Sequence, residues 1–413
     1  MAALAVFLPA EAFAETNHIG AMANNLLNAV SSIPGFVAAC SYLGGLVLAI
    51  MAIIKLKDHI EDPRQPLREA VVRFLIGGML FALPIVFAAM RNTIDPNNTG
   101  IDPGGLTGFL NDIGDFFSDL FGDGLGTFMD EAMGVGGVLT NISMALKPLT
   151  GFLIGIAYIF GVVIGVTGIV KLKEHLLDPK QVQVFEPIKR FLAAGCFFAL
   201  PAVISATRDT LNGGGGFSDF LLILIGLRGF SLGAGGEGLD GVFLGAISNI
   251  YTPMIMLIRI FSFLAGAALV MVGISRLLKT AQDGARGPSG IGTIMTFVAA
   301  SALLSIGSMI SSLTTTMFGW DDNLDFGTLA FSTGEAAVDV HLQNVYKGVV
   351  AFMTMVGMLS VVKGFFVLRA SAEGNSQASI MAGVTHLVGG AIAVNLGALV
   401  KAVQSTLGLS VLS

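Results

Sequence analysis

The chain has 413 residues, 54% apolar and 12% charged, where a soluble domain is roughly 25% charged. With a mean hydropathy of +0.81, that excludes a disordered chain and most soluble classes. The net charge of −6 excludes a uniformly basic nucleic-acid binder, and two cysteines exclude a disulfide framework. What remains is a polytopic membrane protein.

Met1 to Pro9 is short and apolar, and Ala12-Phe13-Ala14 then has the small-residue form of a signal cleavage site. Residues 1–14 are therefore expected to be a signal peptide, with the mature N-terminus outside the cytoplasm. A helix needs about 20 apolar residues to cross the hydrocarbon core. Eight windows meet that length, near 35–54, 71–90, 150–170, 188–206, 254–275, 291–312, 348–368 and 379–402. The run Phe217 to Leu227 is too short and is expected to be re-entrant or interfacial.

Charge gives the orientation. Lys55, Lys57, Arg64, Arg68 and Arg73 lie between the first two windows. Lys171, Lys173, Lys180, Lys189 and Arg190 follow the third, Arg276, Lys279 and Arg286 the fifth, and Lys363 and Arg369 the seventh. These four short loops are net +6, and the rest of the chain is net −12. The positive-inside rule puts the loops in the cytoplasm and both mature termini outside.

The first two hairpins repeat each other. Lys55-Leu56-Lys57-Asp58-His59 matches Lys171-Leu172-Lys173-Glu174-His175, and Asp62-Pro63-Arg64-Gln65 matches Asp178-Pro179-Lys180-Gln181. Phe81-Ala82-Leu83-Pro84 matches Phe198-Ala199-Leu200-Pro201. The Asp-Pro steps should end the outgoing helix, because proline has no amide proton and disfavours helix in the residue before it. Pro84 and Pro201 should kink the returning one. Hairpins three and four keep the layout but not the letters, as divergent copies or as a fused related module.

The fold expected is all-α, a polytopic integral membrane protein of about eight transmembrane helices built from four repeated helical hairpins. Its segments are hairpins at 15–95, 150–211, 254–314 and 348–413, joined by extracytoplasmic linkers at 96–149, 212–253 and 315–347. The first linker carries Leu106, Phe109, Leu110, Ile113, Phe116, Phe117, Leu120 and Phe121 at helical spacing, opposite Asp112, Asp115, Asp119 and Asp123. An amphipathic helix with an acidic face is expected there, packed on the protein's outer mouth or on a partner.

No sequence pattern for chemistry stands out. There is no G-x-x-x-x-G-K-[ST] loop, no C-x-x-C and no H-E-x-x-H. Gly235 to Asp240 fits a single copy of a calcium nonapeptide, and a lone copy is read as a flexible loop, as is Gly213 to Gly216. Cys40 and Cys196 are read as small apolar fillers. The windows hold no acid near the midplane, and Arg91, Arg208, Arg259 and Lys401 are expected to snorkel at outer ends. The missing carboxylates weigh against an ion-coupled transporter. No catalytic, metal or cofactor residue is assigned. The candidate lipid- or partner-docking residues are the tips Lys55, Lys57, His59, Arg64, Lys171, Lys173, His175 and Lys180. Those tips either dock on anionic head groups and partners or only set orientation during insertion. The turn and break residues are Asp62, Pro63, Pro84, Asp178, Pro179 and Pro201.

At the Lys-Leu-Lys-x-His tip and the Asp-Pro-x-Gln step, with Ser41-Tyr42-Leu43-Gly44-Gly45 before and Leu83-Pro84 after, the chain resembles the IcmD/DotP family of type IVB (Icm/Dot-like) secretion and conjugation systems. The second hairpin repeats the likeness through Tyr158 to Gly161, Lys171 to His175, Asp178 to Gln181 and Leu200-Pro201. The likeness covers roughly 15–95 and 150–210. Family members are usually one hairpin, and this sequence has four. The resemblance implies a non-enzymatic inner-membrane subunit of a bacterial export machine. It would be a homo- or hetero-oligomer with other secretion-system subunits and phospholipid, without direct nucleic-acid binding or cofactor. Two other readings stay open: a pilin-like or pore-forming hairpin subunit, and a passive channel or transporter.

Overall fold

In lipid, no water satisfies backbone amides and carbonyls, so an apolar run resolves them internally as helix. The computed structural model describes residues 33–62, 66–94, 135–212, 238–283, 287–318 and 336–407. Every element among them is an α-helix. The signal segment, the acidic amphipathic stretch, the Phe217 to Leu227 run, Gly213 to Gly216, Pro63, Arg64 and Arg286 lie outside the described residues.

In chain order the helices are α1 (Ile33–Glu61), α2 (Leu67–Phe81), α3 (Leu83–Ile94), α4 (Val135–Leu177), α5 (Phe185–Phe198), α6 (Leu200–Asn212), α7 (Leu239–Asp283), α8 (Gly290–Leu304), α9 (Ile306–Phe318), α10 (Ala336–Ala372), α11 (Ile380–Val394) and α12 (Leu396–Leu407). One long helix followed by two short ones recurs four times in this order. Four helices are long and apolar enough to cross a membrane: Ala39–Glu61, Gly151–Leu177, Leu239–Thr280 and Val338–Ala372.

The returning arms differ from expectation. The windows at 71–90, 188–206 and 291–312 are not continuous spans. They are helix pairs bent by 85°, 85° and 95°, so the chain has four candidate spans, or up to seven if each bent pair counts as one. The window at 379–402 is likewise interrupted, at Asn395, leaving Ile380–Val394 as a 15-residue apolar helix. At 1.5 Å per residue such a helix is about 22 Å long, short of a core of about 30 Å. The long helices also start earlier than their apolar windows, α4 at Val135, α7 at Leu239 and α10 at Ala336.

The same backbone feature makes each break. Ala82 (φ −90°, ψ 26°), Ala199 (−95°, 29°) and Asn395 (−105°, 30°) leave helical ψ while keeping a helical φ sign. Ala82, Ala199, Ser305 and Asn395 each donate to the carbonyl four residues back, at 2.9, 2.9, 3.1 and 3.1 Å. Each also accepts from the amide four residues on, at 3.0, 3.0, 2.9 and 2.9 Å. The chemistry differs. Pro84 and Pro201, two residues past their breaks, have no amide proton for the carbonyls of Leu80 and Phe197. At the later breaks Ser305 Oγ donates to Ser301 O at 2.7 Å and Asn395 Nδ2 to Ala391 O at 2.8 Å, back-bonds of the kind that bend helices. Gly307 and Gly397, poor helix formers, stand at the proline position.

The chain divides into two compact units. Among the described residues the first takes in those before 117 and those within 148–206 and 270–290. There α1 and α2 touch backbone to backbone, since a Cβ on Gly45 would lie 2.9 Å from Gly77 O. α3 lies on α4 and α5, and its Phe87 and Met90 join Val72, Ile76, Leu80, Leu83, Val162, Ile169, Ala194 and Phe198 in one core. The Phe87 and Phe198 rings are 4.7 Å apart.

Among the described residues the second unit takes in those within 118–147, 207–269 and 291–413. Its tightest crossing joins α10 to α11, where a Cβ on Gly357 would lie 2.7 Å from Gly390 O. α7 meets α8 in the same way, Gly266 against Ala300 O at 2.9 Å. Apolar burial gives little drive between helices in lipid, so close packing and interhelical hydrogen bonds must hold these pairs.

Candidate functional site

The basic tips are where the outgoing helices stop. α1 ends at Glu61, directly before Asp62, and α4 ends at Leu177, directly before Asp178. Asp178 Oδ1 then accepts from the Lys180 amide at 3.1 Å, and the amides of Gln181 and Val182 return to the Asp178 carbonyl. His175 Nδ1 lies 2.6 Å from Val182 O, a contact that requires the proton on Nδ1. Pro179 and Lys180 are exposed, and His59 is in the last turn of α1.

The lysines are not bare charge. Lys55 pairs with Asp58 (3.5 Å), Lys57 with Glu61 (3.4 Å) and Lys171 with Glu174 (2.6 Å). The start of each returning helix pairs in the same way, Arg73 with Glu69 and Arg190 with Glu186. At the fourth tip Glu373 Oε1 takes both Nε and Nη2 of Arg369 at 2.9 Å and receives Thr296 Oγ1 at 3.3 Å. All but the last of these contacts run along one helix, i to i+3 or i+4, and such surface pairs contribute about 0.3–0.5 kcal/mol each. Lys173 extends the second tip beside them.

Arg91, Arg208 and Arg259 were expected to snorkel from outer ends and are instead buried, 5%, 6% and 7% exposed. The physical reason is the bend. α3 and α6 turn over at Ala82 and Ala199 instead of running outward, which carries Arg91 and Arg208 into packed surroundings. Arg208 also meets Asp209 at 3.2 Å. Arg259 is far from an end because α7 begins twenty residues before it.

The sequence reading did not find the recurring contact at the breaks. The long-helix glycines Gly45, Gly161, Gly266 and Gly357 each face the residue just before a break: Phe81, Phe198, Leu304 and Val394. Four residues before each break stand Gly78, Gly195, Ser301 and Ala391. Gly195 receives the preceding bent helix, since a Cβ there would meet Met90 O at 2.5 Å. Ser301 Oγ donates to the Thr207 carbonyl of α6. Asn395 Nδ2 donates to Thr314 Oγ1 of α9 at 2.7 Å. A sequence signal was present: Leu83-Pro84, Leu200-Pro201, Ile306-Gly307 and Leu396-Gly397 share one pattern, an aliphatic residue then a helix breaker.

His386 Nδ1 lies 3.3 Å from Ser360 Oγ, which also donates to the His386 carbonyl at 2.9 Å, so the polar groups of the last arm tie α10 to α11. Asp240, at the end of the calcium-like stretch, opens α7 with its oxygens committed to His341 (2.8 Å) and Asn344 (2.9 Å). Among the described residues no group of three or more His, Cys, Asp or Glu is placed to hold a metal ion. In comparisons with known proteins, no family model, no curated protein and no solved structure matches the chain.

Proposed function

We propose that this protein is a non-enzymatic inner-membrane subunit of a type IVB-like secretion or conjugation apparatus, built as four repeated hairpins. Each hairpin sends its basic tip to the cytoplasm and returns through a broken arm. The reading is supported above all by the recurrence of one crossing, a long-helix glycine against the residue before a helix break, in all four returns. Proteins that scaffold by helix contact use small residues at such crossings to bring backbones together. The likeness of the Lys-Leu-Lys-x-His tips to IcmD/DotP supplies the kind of machine.

In this role the tips hold orientation and meet anionic head groups, each Lys or Arg near an anionic leaflet contributing about 1 kcal/mol. The partners are other membrane subunits of the same apparatus, and no cofactor is required. The experiment is a mild-detergent pull-down of the tagged chain from a bacterium carrying such a system. Recovery of secretion subunits supports the reading, and recovery of the chain alone from fully assembled membranes counts against it.

The bends favour a second reading. Broken helices at membrane depth are tolerated where they are covered by protein or line a water-filled cavity. A passive pore is the alternative, and solute flux in liposomes holding only the purified chain would select it.

A further inference from the structure

Taken in order, the bent helices form a relay. α3 seats Met90 O over Gly195 of the following return, α6 gives its Thr207 carbonyl to Ser301 of the next, and α9 gives Thr314 to Asn395 of the last. Met90 and Thr207 lie at one register, eight residues past a break, and each faces a residue four before the following break. Thr314 and Asn395 sit one residue from Leu313 of that register and at the break itself. Two joints at one register, and a third displaced towards the break, therefore run in one direction along the chain.

A one-directional series has two unmatched ends. At the first, Gly78 is the counterpart of buried Gly195, and none of the described residues lies within 4 Å of the place its Cβ would occupy. Phe74, one helical face further back, is 62% exposed, whereas its counterpart Phe191 packs against Gly168. The long helix beside it is bare too: 17% of the apolar window of α1 is buried, against 44%, 56% and 56% in the other three. At the other end, Val403 of α12 is the counterpart of Met90 and is 50% exposed, where Met90 is 8% exposed.

We propose that these two surfaces are partners across copies. The α12 helix of one molecule, centred on Val403, docks on the α2 face around Gly78 of a second molecule, repeating the joint made at this register by Met90 with Gly195 and by Thr207 with Ser301. The contact is heterologous, so it continues from copy to copy into a closed ring or an open row. It rests on the four-hairpin part of the proposed function and not on the secretion role.

Disulfide trapping in native membranes tests it. In a chain with Cys40→Ser and Cys196→Ser, one tagged copy carries Phe74→Cys, one turn from Gly78 on the same face, and a second, differently tagged copy carries Val403→Cys. The internal joint, trapped as Met90→Cys with Ala194→Cys in one chain, reports that the fold and the oxidation are intact. The expected result is a mixed-tag dimer only when both variants are co-expressed, together with trapping of the internal joint. Three results overturn the proposal. They are absence of the mixed dimer while the internal joint forms, a dimer of Phe74→Cys with itself, or a double variant that closes only within one chain. A second measurement uses no cysteine: Gly78→Phe should lower the oligomer mass in detergent to that of one chain, and an unchanged mass contradicts the proposal. Secretion partners are needed for none of these, so failure of the pull-down and failure of the joint are separate outcomes.

Discussion

The first two returning arms and the last two break at the same register by different means. Pro84 and Pro201 break the early arms by withholding an amide proton. Ser305 and Asn395 break the late arms by hydrogen-bonding their side chains to the carbonyls of Ser301 and Ala391. Across both halves the break residue keeps the same bonds fore and aft, and the same glycine-facing contact precedes it. The break is therefore a property of how each arm packs, and the local chemistry is one of two ways to permit it.

Substitutions can break that comparison at graded cost. The largest effect is expected at the crossing that both halves share. Gly390→Leu puts a side chain where a Cβ alone would lie 2.7 Å from Gly357 O, and overpacking of this kind should cost about 3 kcal/mol or more. Thermal unfolding in detergent reads it, and a melting temperature within a degree of wild type would show the crossing to be loose.

Asn395→Leu comes next. It removes buried bonds to Thr314 and Ala391 and should cost about 1–3 kcal/mol. Pro201→Ala should cost less, about 0.4–1 kcal/mol, because it mainly frees the unfolded chain while packing keeps the arm bent. Denaturant titration of the two variants side by side checks the order. A larger loss at Pro201 would mean that proline makes the early bends by itself.

The smallest effect belongs to the tips. Lys57→Ala, at an exposed pair with Glu61, should change stability by about 0.3–0.5 kcal/mol or less. Changing Lys55, Lys57, Lys171 and Lys173 together to Glu should disturb orientation far more than stability, as read by side-specific labelling of the tips. Normal insertion of that variant would remove the tips' role in topology.

The division between the halves also explains what could be read from the sequence. The helix ends at Asp62 and Asp178 follow from proline chemistry, which is visible in the letters. So is the first repeat, because Phe81 to Pro84 and Phe198 to Pro201 share residues. The later breaks are harder to see. A serine or asparagine in an apolar run looks the same whether it faces a neighbour or bonds its own helix, and only the backbone distinguishes them. Bends also change what a window length means. Residues 71–90 are apolar enough for a span, but hydropathy carries no information about a turn at Ala82. The early start of α7 was hidden because its first turns, from Leu239 to Tyr251, mix Asp, Asn, Ser and Gly with apolar residues. The candidate site divides in the same way: the tip lysines were legible from charge and repetition, whereas their ion pairs with Asp58, Glu61 and Glu174, though helical spacing permits them, come from the structure. The joints at Gly195 and Ser301 were not, since they depend on contacts between distant segments.

The central claim is that four arms, each broken at one register, bring the chain back, so that every tip faces the same compartment. Single cysteines at Lys57, Lys180, Lys279 and Gln377, in the Cys40→Ser, Cys196→Ser chain, can be labelled with a membrane-impermeant maleimide in intact spheroplasts and again after lysis. The account predicts that all four are protected in intact cells and react only after lysis. Tips that alternate, two reacting from outside and two from inside, would show that the bent arms do not cross and would contradict it.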